Sequence, residues 1–124
     1  MGRHTYDLFQ RGIELLDSGK PAQASVLLEE VKKAEPGQAS VREALARAYY
    51  NQGQYEPAKH HFKRALAIDP TNDFAHFGLA LSLERIGKYK KAFGHIKMAL
   101  VMKPGNRAYQ RLALRIEIRM IGSG

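Results

Sequence analysis

The chain has 124 residues, 44% of them apolar and 26% charged, and no cysteine, so it can bury one sizeable core but offers no disulfide, thiol nucleophile or cysteine zinc site. No apolar run approaches the roughly 18 residues that span a bilayer, and the first residues lack the apolar segment of a signal peptide; a cytoplasmic location is the expectation. The net charge of +8 lies in one half: Met1 to Phe62 holds eight basic and eight acidic residues, Lys63 to Gly124 twelve and four.

In chain order, residues 1–4 are expected to fray, and a first helix is predicted over Thr5–Ser18, with Leu8, Gly12 and Leu15 on one face. Gly19 ends it in the left-handed region. Pro21 opens a second helix to Ala34, turning Ala24, Leu27, Leu28 and Val31 inward, and Pro36-Gly37 stops it. The scheme recurs over Ser40–Gln52 (Leu45, Ala46, Tyr49 inward) and Tyr55–Ile68 (Ala58, Phe62, Ala65, Leu66), where Pro57 still lies in the first turn. It recurs again over Asp73–Ile86 (Leu79, Ala80, Leu83) and Tyr89–Met102 (Ala92, Ile96, Ala99, Leu100). A seventh helix, Arg107–Ile121, follows Pro104-Gly105 with Asn106 as N-cap. Residues 122–124 read as a linker outside the fold.

Gly19, Gly53 and Gly87, Ala24, Ala58 and Ala92, and Pro36, Pro70 and Pro104 are each spaced 34 residues apart, the period of a helix-turn-helix repeat. The expected architecture is therefore all-α, a solenoid of antiparallel helix pairs over 5–38, 39–72 and 73–106, with the seventh helix as a cap. Small residues at Gly12, Ala46 and Ala80 and at Ala24, Ala58 and Ala92 let paired helices approach closely while larger neighbours fill the remaining space. Enlarging Ala58 would overpack the interface at about 1–3 kcal/mol.

These residues carry a family resemblance. The small residue followed by an apolar one on each first helix (Gly12 and Leu15, Ala46 and Tyr49, Ala80 and Leu83) resembles the tetratricopeptide repeat. So do Ala24-Leu28-Val31, Ala58-Phe62-Ala65 and Ala92-Ile96-Ala99, each followed by its proline. The resemblance covers Thr5 to Asn106 and implies a right-handed superhelix of seven helices. The family's large residue near the start of the first helix is Leu8, Arg42 or His76 here, and Arg11 replaces an apolar residue; looser packing is expected at those places.

The resemblance also implies that first helices line a concave groove through Tyr6, Phe9, Ile13, Leu16 and Asp17, then Ser40, Glu43, Arg47, Tyr50 and Asn51, then Phe74, Phe77, Leu81, Glu84 and Arg85. That set is apolar and aromatic for a surface, and separate from the residues expected to hold the hairpins together, which suggests an interface. The expected function is a non-enzymatic scaffold for a peptide or protein segment with hydrophobic anchors, held by Tyr6, Phe9, Ile13, Arg47, Tyr50, Asn51, Phe74, Phe77, Leu81 and Arg85, with Arg47 or Arg85 available to an acidic group. The clamp with which some family members hold a terminal carboxylate falls here on Phe9, Ile13, Ala44, Phe74 and Gly78, none of which can bind one through its side chain.

The seventh helix has two apolar faces: Tyr109, Leu112, Ala113, Ile116 and Met120 on one side, Leu114, Ile118 and Ile121 nearly opposite. A terminal cap usually shows water a polar face, so the second stripe is expected to serve self-association or to lie under a further helix. Arg107, Arg111, Arg115 and Arg119, at steps of four, form a basic ladder that offers the competing reading, an adaptor for nucleic acid or an acidic partner. No aromatic stacking platform accompanies it. Of five histidines, His61 and His95 hold equivalent places and are expected to approach each other; no carboxylate at matching spacing completes a metal site. No phosphate loop, serine elbow or acid pair suggests catalysis, and no cofactor is expected.

Overall fold

A computed structural model describes residues 1–122 and places seven α-helices in them: α1 (Arg3–Asp17), α2 (Pro21–Ala34), α3 (Ala39–Asn51), α4 (Tyr55–Ile68), α5 (Asp73–Ile86), α6 (Tyr89–Met102) and α7 (Arg107–Gly122). The bounds of α2, α4, α5 and α6 are those read from the sequence, while α1 and α3 begin and end slightly earlier. Residues 3 and 4 are not frayed. Tyr6 donates its backbone N–H to the Gly2 carbonyl at 2.9 Å, which draws the helix back to Arg3, and the terminal amine lies 3.6 Å from the Glu35 carboxylate. Gly122, expected in a linker, is the last residue of α7; the rest of that segment lies outside the described residues.

The turn within each helix pair is built the same way. Gly19, Gly53 and Gly87 sit at φ of +73°, +75° and +90°, where a side chain would be strained. The next residue donates back across each glycine, from Lys20 to Leu15, Gln54 to Tyr49 and Lys88 to Leu83, at 2.8–2.9 Å, and so satisfies carbonyls that the helix ends would leave bare. Between pairs, side chains of Asn72 and Asn106 accept from the backbone of Ala75 and Tyr109 and start α5 and α7.

Each first helix packs on its own second helix and on the second helix before it. The first helices also touch one another in succession, α1 to α3 to α5 to α7, whereas the second helices do not. The stack therefore curves with its first helices on the inside. None of the described helices is long and apolar enough to cross a membrane.

The core divides into one cluster centred on α1–α3, with Leu16, Leu28 and Leu45, and a larger one running from α3 to α7, with Phe62, Leu79, Ile96, Tyr109 and Ile116; Tyr49 touches both. Leu28, Leu45, Leu79, Ile96 and Ile116 are fully buried, each worth about 1.5–3 kcal/mol against exposure. The glycines make room for this packing. A Cβ on Gly12 would stand 2.8 Å from Leu28, and one on Gly78 would stand 2.2 Å from the Phe62 ring.

Two of the slots expected to be loose, those of Arg42 and His76, are closed by pairing. The buried Arg42 guanidinium donates to Nδ1 of buried His61 at 3.3 Å. One period later, His76 Nδ1 lies 3.1 Å from His95 Nδ1, with the rings stacked at 5.4 Å. His61 and His95 therefore do not meet, because each is taken by the residue nineteen positions before it in its own repeat. Leu8 and Leu27 occupy the corresponding places in the first pair, so two repeats carry polar residues where the first carries leucines. Only Arg42 Nε is left buried without a hydrogen-bond partner among the described residues.

Candidate functional site

A cleft of about 250 Å³ opens on the inner face between α3 and α5. Arg47, Tyr50 and Asn51 come from α3 and Phe74, Gly78 and Leu81 from α5, one helical turn apart on facing stripes. Phe62 reaches through from α4 to form the floor. It can do so because Gly78 has no side chain, so the edge of a core ring is presented to the cleft. The walls are apolar or aromatic, while Arg47, 3.9 Å from Asp17, and Asn51 stand at the rim. Such a site can desolvate an apolar group at its base and pair an acidic one at its edge.

Of the residues expected in the groove, the cleft brings together Arg47, Tyr50, Asn51, Phe74 and Leu81. Gly78 and Phe62 were assigned to other roles, the first to an inactive clamp position and the second to the core. The remaining expected residues are distributed more widely. Phe77 turns toward α7, its ring 4.8 Å from Tyr109 and 6.0 Å from Phe74. Tyr6 is 51% exposed at the N-terminal end of the stack, and Phe9 and Ile13 lean on the first core cluster. Leu16 and Glu84, also expected in the groove, are buried. The groove and the core are accordingly not separate sets: Phe9, Ile13, Tyr50, Phe77 and Leu81 all pack against core clusters, because neighbouring first helices share the same inner face.

Arg85 lies beyond this cleft, its guanidinium 5.4 Å from the Tyr55 ring centroid and hydrogen-bonded to Tyr50, an interaction that raises its pKa. With Glu84, Tyr89, Arg115 and Arg119 it lines a second, polar cleft of about 340 Å³. There Arg115 grips the buried Glu84 carboxylate with two hydrogen bonds of 2.6 and 2.7 Å, and Arg119 approaches it at 3.7 Å. The Glu84 hydrogen bonds hold the Arg115 pKa above its ordinary value. The arginine ladder is therefore divided: Arg107 and Arg111 face outward, whereas Arg115 and Arg119 turn toward Glu84, with Arg119 also donating to the Tyr89 hydroxyl at 3.4 Å. Leu114, Ile118 and Ile121 are 60%, 61% and 76% exposed on the outer face of α7.

Buried polar groups elsewhere close the stack. The Tyr49 hydroxyl donates to Glu29 at 2.7 Å; burial first, then that bond, pushes its pKa up to about 12. Tyr109 donates to Asp73 at 2.5 Å and is likewise raised by burial and by its partner. Among the described residues no three histidine or carboxylate side chains converge in a way that could hold a metal ion.

The curved stack of helix pairs with a cleft on its inner face defines a helical-repeat scaffold. The profile of the family described as "Anaphase-promoting complex, cyclosome, subunit 3" matches residues 17–99, and the chain belongs to that family of tetratricopeptide-type repeats. Among solved structures, the first tetratricopeptide domain of Spaghetti (RPAP3), bound to an HSP90 peptide, superposes with a TM-score of 0.91 at 17% identity, over 94% of this chain and 93% of that one. The second such domain of human RPAP3, in complex with an HSP70 peptide, gives 0.87 at 22% identity over 94% and 98%. The type III secretion chaperone SycD of Yersinia enterocolitica, with a peptide of the translocator YopD, gives 0.82 at 16% over 98% and 93%. At these identities the likeness is one of fold. A search of curated protein sequences finds no match.

Proposed function

We propose that the protein is a non-enzymatic interaction scaffold that takes a peptide segment along its inner face, with one apolar side chain of the ligand seated against Phe62 and Gly78. The observation that carries this reading is the cleft itself. At about 250 Å³ it falls below the roughly 300–1,000 Å³ of small-molecule sites, and its apolar base and polar rim suit a single side-chain anchor on a longer ligand. Peptides bound to the three neighbours above are consistent with such a use of the fold. Heat-shock peptides like those of the first two neighbours are not the expected ligands, because Phe9, Ile13, Ala44, Phe74 and Gly78 occupy the carboxylate-clamp places. Arg47, at the rim of the cleft, favours an acidic residue flanking the anchor.

Phe74 is the residue to change, since it lines the cleft and is 36% exposed, whereas Phe77 also supports Tyr109. Binding of a peptide library with one central large apolar residue, measured on the parent and on Phe74→Ser, should show selected peptides lost by about tenfold or more, the range of an interface anchor. Equal binding by parent and variant, with both equally folded, refutes the groove.

A further inference from the structure

We infer that the outer face of α7 is a second docking surface, one that receives an acidic amphipathic helix from another protein as an eighth helix of the stack. Leu114, Ile118 and Ile121 lie at i, i+4 and i+7, so they form one stripe, and it is turned away from Tyr109, Leu112 and Ile116, which bury α7 against its neighbours. The repeat period shows what this side of the helix is for. Leu114 falls 34 residues after Ala80 and 68 after Ala46, and both alanines are fully buried beneath the second helices of their own pairs. On α7 the corresponding side carries no helix among the described residues and shows three aliphatic residues.

Charge selects the occupant. Arg107 and Arg111 continue the same stripe toward the start of α7, and Glu117 is the only acid on the helix. The border with α6 is basic as well. Lys63 of α4 lies near enough to His95 of α6 to act on it electrostatically; its counterpart one period on is Lys97, placed where a following second helix would run. A second copy of this chain would bring a half-molecule of twelve basic and four acidic residues against the same charges. A helix with acidic flanks meets attraction instead, and it needs a small residue opposite Leu114, because that place holds leucine where the repeats hold glycine or alanine.

The test uses the whole chain and a labelled peptide of about twenty residues, long enough to form a helix when docked. It carries a leucine stripe interrupted by one alanine, flanked by glutamates; its isomer carries lysines in their place. Fluorescence anisotropy should show the acidic peptide binding and the lysine isomer at least about tenfold weaker. Ile118→Ser should weaken the acidic peptide by about tenfold, while Phe74→Ser in the inner groove should leave it unchanged. Ile118 is exposed, so its replacement does not threaten the fold. The proposal is overturned if neither peptide binds, if the two bind equally, or if Phe74→Ser weakens binding as much as Ile118→Ser does. It is also overturned if the parent sediments as a dimer that Ile118→Ser converts to a monomer, since the occupant would then be a second copy.

Discussion

Gly78 and Gly94 lie inside adjacent helices, yet the same change to alanine should move stability in opposite directions. On an open helix surface alanine is favoured over glycine by roughly 0.5–1 kcal/mol, because glycine loses more backbone entropy on folding. A Cβ on Gly94 meets nothing within 4 Å, so Gly94→Ala should gain that amount. At Gly78 the new carbon would stand 2.2, 2.3 and 2.7 Å from Cζ, Cε1 and Cε2 of Phe62. The ring is 2% exposed and packed between α3, α4 and α5, so it cannot swing into solvent to relieve the clash. Overpacking of this kind costs about 1–3 kcal/mol. After subtracting the helix-propensity gain, Gly78→Ala should lose up to about 2.5 kcal/mol, with about 1 kcal/mol from the middle of both ranges. Gly12→Ala should fall between the two, since its Cβ would stand 2.8 and 2.9 Å from Cδ2 and Cγ of the more adaptable Leu28. Urea unfolding followed by helical circular dichroism gives all three values, and a Phe62→Leu, Gly78→Ala double variant should recover part of the loss by removing the ring atoms concerned. A Gly78→Ala protein stabilised to the same extent as Gly94→Ala would refute the claim that Phe62 packs against this glycine.

The remaining predictions concern polar groups. Glu84→Gln leaves Arg115 without its carboxylate and should loosen α7 by roughly 1–3 kcal/mol, less than a fully buried pair because Arg115 is half-exposed; faster amide exchange in α7 than in α1 would register it. Stability should also fall on acidification. His61 is pushed down to about 4, first by burial, then by His60 and Arg42, and His95 is lowered by burial, His76 and Lys63. The unfolded chain then binds protons that the folded chain refuses, so the stability present above about pH 6.5 drains away toward pH 4, by about 3 kcal/mol for His61. His61→Phe, which keeps a ring against Tyr49, should flatten that slope in denaturant midpoints measured across the same window.

The fold was legible because it is written in short-range chemistry that repeats. The left-handed glycines, the prolines in first turns and the small-residue slots each act within a few positions, and a fixed period multiplies a weak local signal. What failed were pairings across helices. Arg42 and His76 look like intrusions into an apolar slot until their partners, His61 and His95, are found nineteen residues on. The regularity of that spacing was present in the sequence, but the periodicity of one helix does not reveal which side chain of the next will face it. Glu84 and Arg115 are 31 residues apart and belong to different repeats, so a ladder of arginines spaced by four could not disclose that two of them turn inward.

The same geometry explains why the inner cleft was only partly foreseen. Period 3.6 assigns a residue to one face of a helix, but a first helix in a curved stack has neighbours on both sides of that face. Tyr50, Phe77 and Leu81 therefore serve packing and cleft at once, and Phe62 belongs to the core while its ring edge floors the site. A residue with both duties cannot report on binding alone, since its removal also loosens the wall that a ligand would touch. Phe74 escapes this ambiguity because it stands at the rim, more than a third exposed, with its principal ring contact to Phe77 rather than to the core. Loss of binding at Phe74 with unchanged unfolding is thus the combination that separates a recognition surface from a packing surface left open by curvature.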